Sequence, residues 1–241
     1  APFGGVWSHI EIDQPEVLSS FLEHIFSYLQ QYQIRLIRVI QPPQVYESYS
    51  ELVNNLLFKN GFTVQAVLSH QFLRGKKNIR NFFKTQSSRW EEKLNDKQLN
   101  LTISSINNFG FLKDIQQWNS QKGYGSNWTE ERLIQQVSLF PDRYFKISVS
   151  HKEFPQAHAV GVKLTDQVLY YFLSANKPES PFKNLGEFLL FGLIKLAKEE
   201  KVDAIDLGSS EVDGEINSNL MYFKSRFSNE IGNKFIWERK L

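Results

Sequence analysis

Residues 144–176 read YFKISVSHKEFPQAHAVGVKLTDQVLYYFLSAN. Their branched and aromatic residues predict three successive antiparallel strands, Tyr144 to Ser150, Ala157 to Leu164 and Val168 to Leu173, turned at Lys152-Glu153 and Asp166-Gln167. The last strand ends in Ser174-Ala175-Asn176, and a polar loop with Pro178 and Pro181 leads into a helix whose first turn holds Phe182-Lys183-Asn184-Leu185-Gly186. Leu185, Phe188, Leu189, Gly192 and Leu196 form the apolar side of that helix, which closes at Lys198 to Lys201. Free backbone N–H groups and the positive dipole end at such a helix start can hold pyrophosphate without a charged side chain. A strand, Ala204 to Leu207, then Gly208-Ser209-Ser210, an acidic loop, a helix from about Ile216 to Phe227 and a last strand, Lys234 to Glu238, complete this half.

Upstream, strands and helices alternate. Gly4-Gly5 marks a turn into a short strand at Val6-Trp7. Asp13 and Pro15 offer a helix start, with Val17, Leu18, Phe21, Leu22, Ile25 and Leu29 on one apolar face. Ile34 to Ile40 reads as a strand closed by Pro42-Pro43, and a helix carrying Leu52, Val53, Leu56 and Leu57 stops at Asn60-Gly61. Phe62, Val64, Ala66 and Leu68 alternate as another strand. From Arg74 to Lys97 the chain becomes a charged helix, with Lys77, Arg80 and Lys84 sharing a face and Phe82, Phe83 and Trp90 available for packing. This basic patch reads either as a solvated face or as a docking site for a phosphate-bearing substrate or RNA. Leu99, Leu101 and Ile103 alternate as a strand, and two helices follow, through Phe111, Leu112, Ile115 and Trp118 and through Leu133, Ile134 and Val137, separated by Gly123-Tyr124-Gly125.

The 241 residues balance 28 Lys and Arg against 26 Asp and Glu, and 41% are hydrophobic, the profile of one large or two small globular domains. A formal charge of +2 is too small for a general polyanion binder, and with no cysteine there is no disulfide framework, thiolate nucleophile, iron–sulfur cluster or cysteine-ligated zinc. The longest apolar run, Phe188 to Ile194, falls short of a membrane span, so no membrane insertion is expected. Asn100-Leu101-Thr102 and Asn127-Trp128-Thr129 match the glycosylation triplet without a secretory context. Ala1 in place of Met suggests a trimmed or partly recorded N-terminus.

No paired-histidine zinc helix, phosphate loop, strand-linked Gly-x-Gly-x-x-Gly or Gly-x-Ser-x-Gly elbow occurs, which removes support from the common hydrolase, kinase and dehydrogenase readings. His9, His24, His70, His151 and His158 have no ligand spacing, and His158, mid-strand, reads as a packed or edge histidine ahead of a catalytic base. Asp203, Asp206, Glu211, Asp213 and Glu215 could hold a metal, but their irregular spacing favours a solvated loop with one member as a polar site group, and no metal is expected.

The order strand, strand, strand, loop-helix, strand, helix, strand is similar to the C-terminal part of the GNAT acyltransferase fold. Leu220-Met221-Tyr222-Phe223-Lys224-Ser225-Arg226-Phe227 resembles the Phe-Lys-x-x-Phe-Gly stretch of FemAB-like transferases, which follows a strand ending in Asp-x-Gly, here Asp206-Leu207-Gly208. Lys183-Asn184-Leu185-Gly186 resembles that family's helix-start segment, and Phe140-Pro141-Asp142-Arg143-Tyr144 and Pro2-Phe3-Gly4-Gly5 are similar to its acetyltransferase branch. Ser228 stands where the family motif has glycine, and the paired-helix arm of tRNA-using members is reduced to the stretch Lys76 to Lys97.

The resemblance implies a mixed α/β (α+β) fold of tandem GNAT-like halves, with mostly antiparallel sheets flanked by helices. Residues 1–74 would be a partial first half and residues 75–241 the transferase half. It implies a cytoplasmic, FemAB-like N-acyltransferase that takes acetyl-CoA or another acyl-CoA as co-substrate. The alternative donor is aminoacyl-tRNA, docked through Lys77, Arg80 and Lys84, with a small amine or a cell-wall (peptidoglycan) or lipid precursor as acceptor. Lys224, Tyr222 and Asp206 would be the catalytic residues; Ser174, Ala175, Asn176, Lys183, Asn184, Leu185 and Gly186 would hold the donor. A non-catalytic descendant binding a small molecule or protein is the reading from another class, and a monomer is the default.

Overall fold

The computed structural model describes residues 4–7, 14–125, 128–212 and 214–241; the expectations that rest on Pro2, Phe3, His9, Asp13, Asn127 and Asp213 lie outside them. In chain order the elements are α1 (Pro15–Gln31), β1 (Leu36–Gln41), α2 (Ser50–Lys59), β2 (Thr63–Arg74), α3 (Lys76–Asp96), β3 (Leu99–Ser105), α4 (Phe111–Gln121) and α5 (Glu130–Leu139). A short 3-10 turn (Pro141–Arg143) leads to β4 (Tyr144–His151), β5 (Phe154–Lys163), β6 (Val168–Asn176), α6 (Leu185–Glu199), β7 (Ala204–Ser209), β8 (Glu211–Val212), β9 (Glu215–Ile216), α7 (Ser218–Ser225) and β10 (Glu230–Lys240). Two compact units share these elements: Ala1–Gln71 with Ser209–Phe223 and Glu230–Leu241, and Phe72–Gly208 with Lys224–Asn229.

In the first unit β1 pairs antiparallel with β10 from Leu36↔Lys240 to Gln41↔Phe235. Leu18, Leu22 and Phe26 of α1, Val53, Leu56 and Leu57 of α2, Phe62 and Trp237 form its core, where the Trp237 indole N–H donates to Asn54 Oδ1 at 2.9 Å. Proline at the first helical position starts α1, as its fixed φ and missing donor allow. The buried stripe is narrower than the expected face: Val17 and Phe21 are exposed, and Phe26 is buried instead. The Ile34 amide donates to Leu29 O at the end of α1, so β1 begins at Leu36 and not at Ile34. Val6-Trp7 is not a strand; the Val6 amide donates to the side-chain carbonyl of Gln41. The acidic loop contains the β8–β9 hairpin, which takes up Ile216 and delays α7 to Ser218, while β10 runs well beyond Lys234–Glu238 at both ends.

The second unit is built on β3, β4, β5 and β6 paired antiparallel in that order, with β7 added parallel to β6. A parallel neighbour needs a crossover, and α6 provides it. Consistent with that position, α6 is buried nearly all round rather than along one side, from Leu185 through Ala197. Phe191 of α6 lies 5.5 Å from Phe83 and 4.7 Å from Trp90, both of α3, ring centroid to centroid. A second core packs α4 and α5, through Phe111, Leu112, Ile115, Trp118, Leu133 and Val137, against Tyr144, Val160, Val162 and Ala175 of the strands.

His158 is a packed histidine, as expected: buried, stacked on Trp118 with ring planes 4° apart, and bonded through Nδ1 to Ser148 Oγ at 2.8 Å. Burial holds its pKa below the ordinary histidine value, against the pull of the Asp114 carboxylate 3.3 Å from Nε2 and with a further push from Lys146. Gly192 marks the close approach of α6 to the sheet, since a Cβ there would lie 2.7 Å from Ile147 and 3.1 Å from Leu101. Alanine at this position gains helix propensity but forces these side chains apart. Gly192→Ala is expected to destabilise the chain by about 1–3 kcal/mol, read as a lower thermal midpoint; an unchanged or higher midpoint would contradict the close packing.

Candidate functional site

The parallel pairing of β6 and β7 is short. It runs through Val168↔Ala204 and Leu169↔Ile205 and ends at Tyr170↔Asp206, while β6 continues to Asn176 against β5 alone. Just past that end β6 bulges: Val160 pairs Leu173 and Gly161 pairs Tyr171, leaving Phe172 as the extra residue. The two strands therefore part where Tyr170, Asp206 and Gly208 meet.

Asp206 is fully buried in β7. Its Oδ1 accepts the Gly208 N–H at 2.7 Å, and Gly208 takes φ +74°, a left-handed conformation that glycine adopts without strain. A side chain there would also crowd the Tyr170 ring and the Lys224 Nζ, 3.6 and 3.8 Å from the position of a Cβ. Lys224, only 7% exposed, thus brings its ammonium into the same pocket of β6 and β7. Burial lowers the Lys224 pKa to about 8, the Asp206 charge acting in the opposite sense. Burial pushes the Tyr170 phenol well above its ordinary value, and the Asp206 charge adds to the shift. The phenol thus stays a neutral hydrogen-bonding group.

The position of Lys224 follows from what comes next in the chain. Phe227, two residues beyond the end of α7, is buried, its ring 5.9 Å from Trp90 and 6.0 Å from Phe82, and its amide donates to Lys224 O at 2.9 Å. Asn229 then locks the segment to β2: its amide donates to Phe72 O, and its side chain accepts from the Arg74 N–H and donates to Arg74 O. Between Lys224 and Phe227, Arg226 pairs with Glu187 in the first turn of α6 at 2.9 Å. The start of α6 is thereby tied to the segment that carries Lys224, and the carboxylate nearest that helix start is neutralised.

The expected donor segment is divided differently. Ser174, Ala175 and Asn176 belong to β6 rather than to a loop, because β5 continues to pair with them through Ala159, His158 and Ala157. Ala175 packs its side chain in the core against α4. The Ser174 and Asn176 carbonyls accept from Asn119 Nδ2 and Lys122 Nζ. The helix starts later than expected, at Leu185: Phe182 and Lys183 precede it, and Asn184 caps it in the left-handed region at φ +67°, its carbonyl accepting from Glu187 and Phe188. Leu185 is buried, Lys183 is exposed, and the amides of Leu185 and Gly186 lead the helix. Tyr222 belongs to the first unit and is 71% exposed, so it does not fill the core.

Tyr170, Glu187 and the aromatic group of Trp90 and Phe82 were not expected as site residues. Only the pairing of β6 with β7 and the return of the chain past α3 bring them to Lys224. Among the described residues no group of three or more His, Asp or Glu is placed to hold a metal, and no helix is long and apolar enough to cross a membrane.

No protein-family model matches the chain, and no curated protein sequence matches it. Solved structures do. FemX is similar over all of this chain and 82% of its own, at 12% identity and a TM-score of 0.67. L-PGS from Bacillus licheniformis is similar over 93% of this chain and 73% of its own, at 12% identity and a TM-score of 0.58. A tandem GNAT protein from the clavulanic acid biosynthesis pathway is similar over 92% and 69%, at 11% identity and a TM-score of 0.53. At these identities the likeness establishes the fold alone: a mixed, mostly antiparallel α+β fold shared with FemX, L-PGS and the tandem GNAT protein.

Proposed function

We propose that the chain is an N-acyltransferase that moves an acyl group from acyl-CoA to an amine acceptor. The observation that carries this reading is the buried Lys224 ammonium, held beside Asp206 and Tyr170 where β6 and β7 part. In such a transfer the amine attacks the thioester carbonyl carbon, an oxyanion forms, the C–S bond breaks, and the amine proton leaves to a polar group or water. A cation in a water-poor pocket stabilises the oxyanion or a donor phosphate far better than one in bulk water. Asp206 keeps that cation protonated, and Tyr170 remains a neutral hydrogen-bonding group. The donor is assigned to the end of β6, at Ser174 to Asn176, and to the start of α6, at Lys183 to Gly186, whose amides suit a pyrophosphate. Tyr222, two residues before Lys224 on α7, is a weaker candidate for proton handling. Residues 1–74 and 75–241 are taken as the two GNAT-like halves, the first incomplete.

A second reading keeps the same pocket and replaces the donor by aminoacyl-tRNA, with a cell-wall or lipid precursor as acceptor. It is favoured by the exposed cations Lys76, Lys77, Arg80 and Lys84 on α3.

Lys224→Ala is expected to lower the transfer rate at least about 100-fold, the scale of a lost oxyanion-stabilising group, with circular dichroism unchanged; full activity in a folded variant removes the assignment. The pH dependence has a definite sign. Lys224 is a cation below about pH 8 and neutral above, so transfer falls as pH rises through about 8. Asp206→Asn removes the charge that raises this pKa while keeping an acceptor for Gly208, so the fall moves to lower pH; a profile that is flat through pH 8, or unmoved by the substitution, contradicts the cationic role. Replacing Lys77, Arg80 and Lys84 together by Gln separates the donors. Under the tRNA reading, affinity and its salt dependence drop, whereas calorimetric titration with acetyl-CoA is unaffected.

A further inference from the structure

Among the described residues the strand β3 is the end of the sheet and pairs on one side only, with β4, in unbroken register from Leu99↔His151 to Ser105↔Phe145. Exposed edges of this length are usually blunted by a charge, a proline or a bulge. The sequence here, LNLTISS, has no charged residue, proline or glycine. Thr102 at its centre is exposed, and Leu101 and Ile103 on either side are partly exposed.

The same seven residues are complementary to themselves. Antiparallel pairing about a two-fold axis at Thr102 sets Leu101 opposite Ile103 twice, Asn100 opposite Ser104 twice, and Thr102 opposite Thr102. Leucine and isoleucine then meet at the centre of one face, flanked at the ends of the pairing by Leu99 opposite Ser105, and polar residues meet on the other face, with no like charges opposed. The apolar face is the one toward α6, since the Leu101 side chain reaches the surface of Gly192. A groove of about 540 Å³ lies beside β3, lined by the apolar Leu94, Leu101 and Phe191 together with polar groups that include Asn100, Thr102 and Lys195. The Leu101 and Ile103 side chains of an added strand point to the groove's side of the sheet.

We propose that β3 pairs antiparallel with β3 of a second copy of this chain, centred on Thr102, to form a two-fold dimer with a continuous sheet. The proposal does not depend on the acyltransferase reading.

The chain contains no cysteine, so single-cysteine variants report the register directly. Directly opposed residues of an antiparallel pair have Cα atoms about 4.5–5.5 Å apart, within the reach of a disulfide. Thr102→Cys is therefore expected to form a covalent dimer under mild oxidation. Ser105→Cys, whose two copies would lie about 20 Å apart, is not. Sedimentation velocity of the unaltered chain at micromolar concentration should show the dimer. Thr102→Lys, which opposes two ammonium groups at the axis, should weaken it at least about tenfold while circular dichroism stays unchanged. A monomer across the concentration range overturns the proposal and leaves the edge to an extended segment of another protein. A dimer that survives Thr102→Lys and does not cross-link through Thr102→Cys also overturns it, since that dimer uses another surface.

Discussion

One constraint organises the second unit: β6 and β7 run parallel, and a parallel pair cannot be closed by a hairpin. The connection has to leave the sheet and return across its face, which makes α6 a crossover helix buried on nearly all sides. Its glycine at position 192 follows from that depth, and so do the aromatic contacts of α3, which lies over it. The pairing stops at Tyr170 and Asp206, and beyond that point the bulge at Phe172 turns β6 away. Where two strands of one sheet part, their backbone polar groups lose the strand partner and have to be satisfied by other polar groups or by water. Lys224, Asp206 and Tyr170 stand at that point.

The buried lysine is the costly feature of this arrangement. Desolvation opposes its charge, and a depressed pKa is the record of that opposition. It is sustained by packing at a distance: Phe227 between Trp90 and Phe82, Asn229 bonded to β2, and Arg226 paired with Glu187. These groups touch no reacting atom in the proposed transfer. They fix the backbone that follows Lys224, which is how a site is pre-organised by its surroundings.

Much of this was legible in the chain. The stop of α2 at Asn60-Gly61 rests on a glycine at φ +77°, and the spacing of Phe111, Leu112, Ile115 and Trp118 is the buried face of α4. His158 was readable as packed because its neighbours in the strand are small and apolar. The misplacements share a physical cause. Val17 and Phe21 have the right spacing for a core face, yet periodicity does not say how wide a stripe the neighbouring elements cover. Ile34 has the composition of a strand, but its amide is taken by the end of α1. Ser174 to Asn176 look like loop by composition, but β5 holds them in the sheet. In each case a partner distant in sequence decided.

The sequence by itself determined most of the order of elements and carried the resemblance of the stretch around Lys224 to a FemAB-like motif, because local periodicity, turn residues and short motifs are properties of neighbouring residues. Only the tertiary structure decided that Tyr170, Asp206 and Lys224 share one pocket, that Glu187 answers Arg226, and that LNLTISS is the edge of a sheet. Those facts depend on which strands lie side by side and where their pairing stops, and hydrogen bonding between residues far apart in the chain leaves no periodic trace in either partner's sequence.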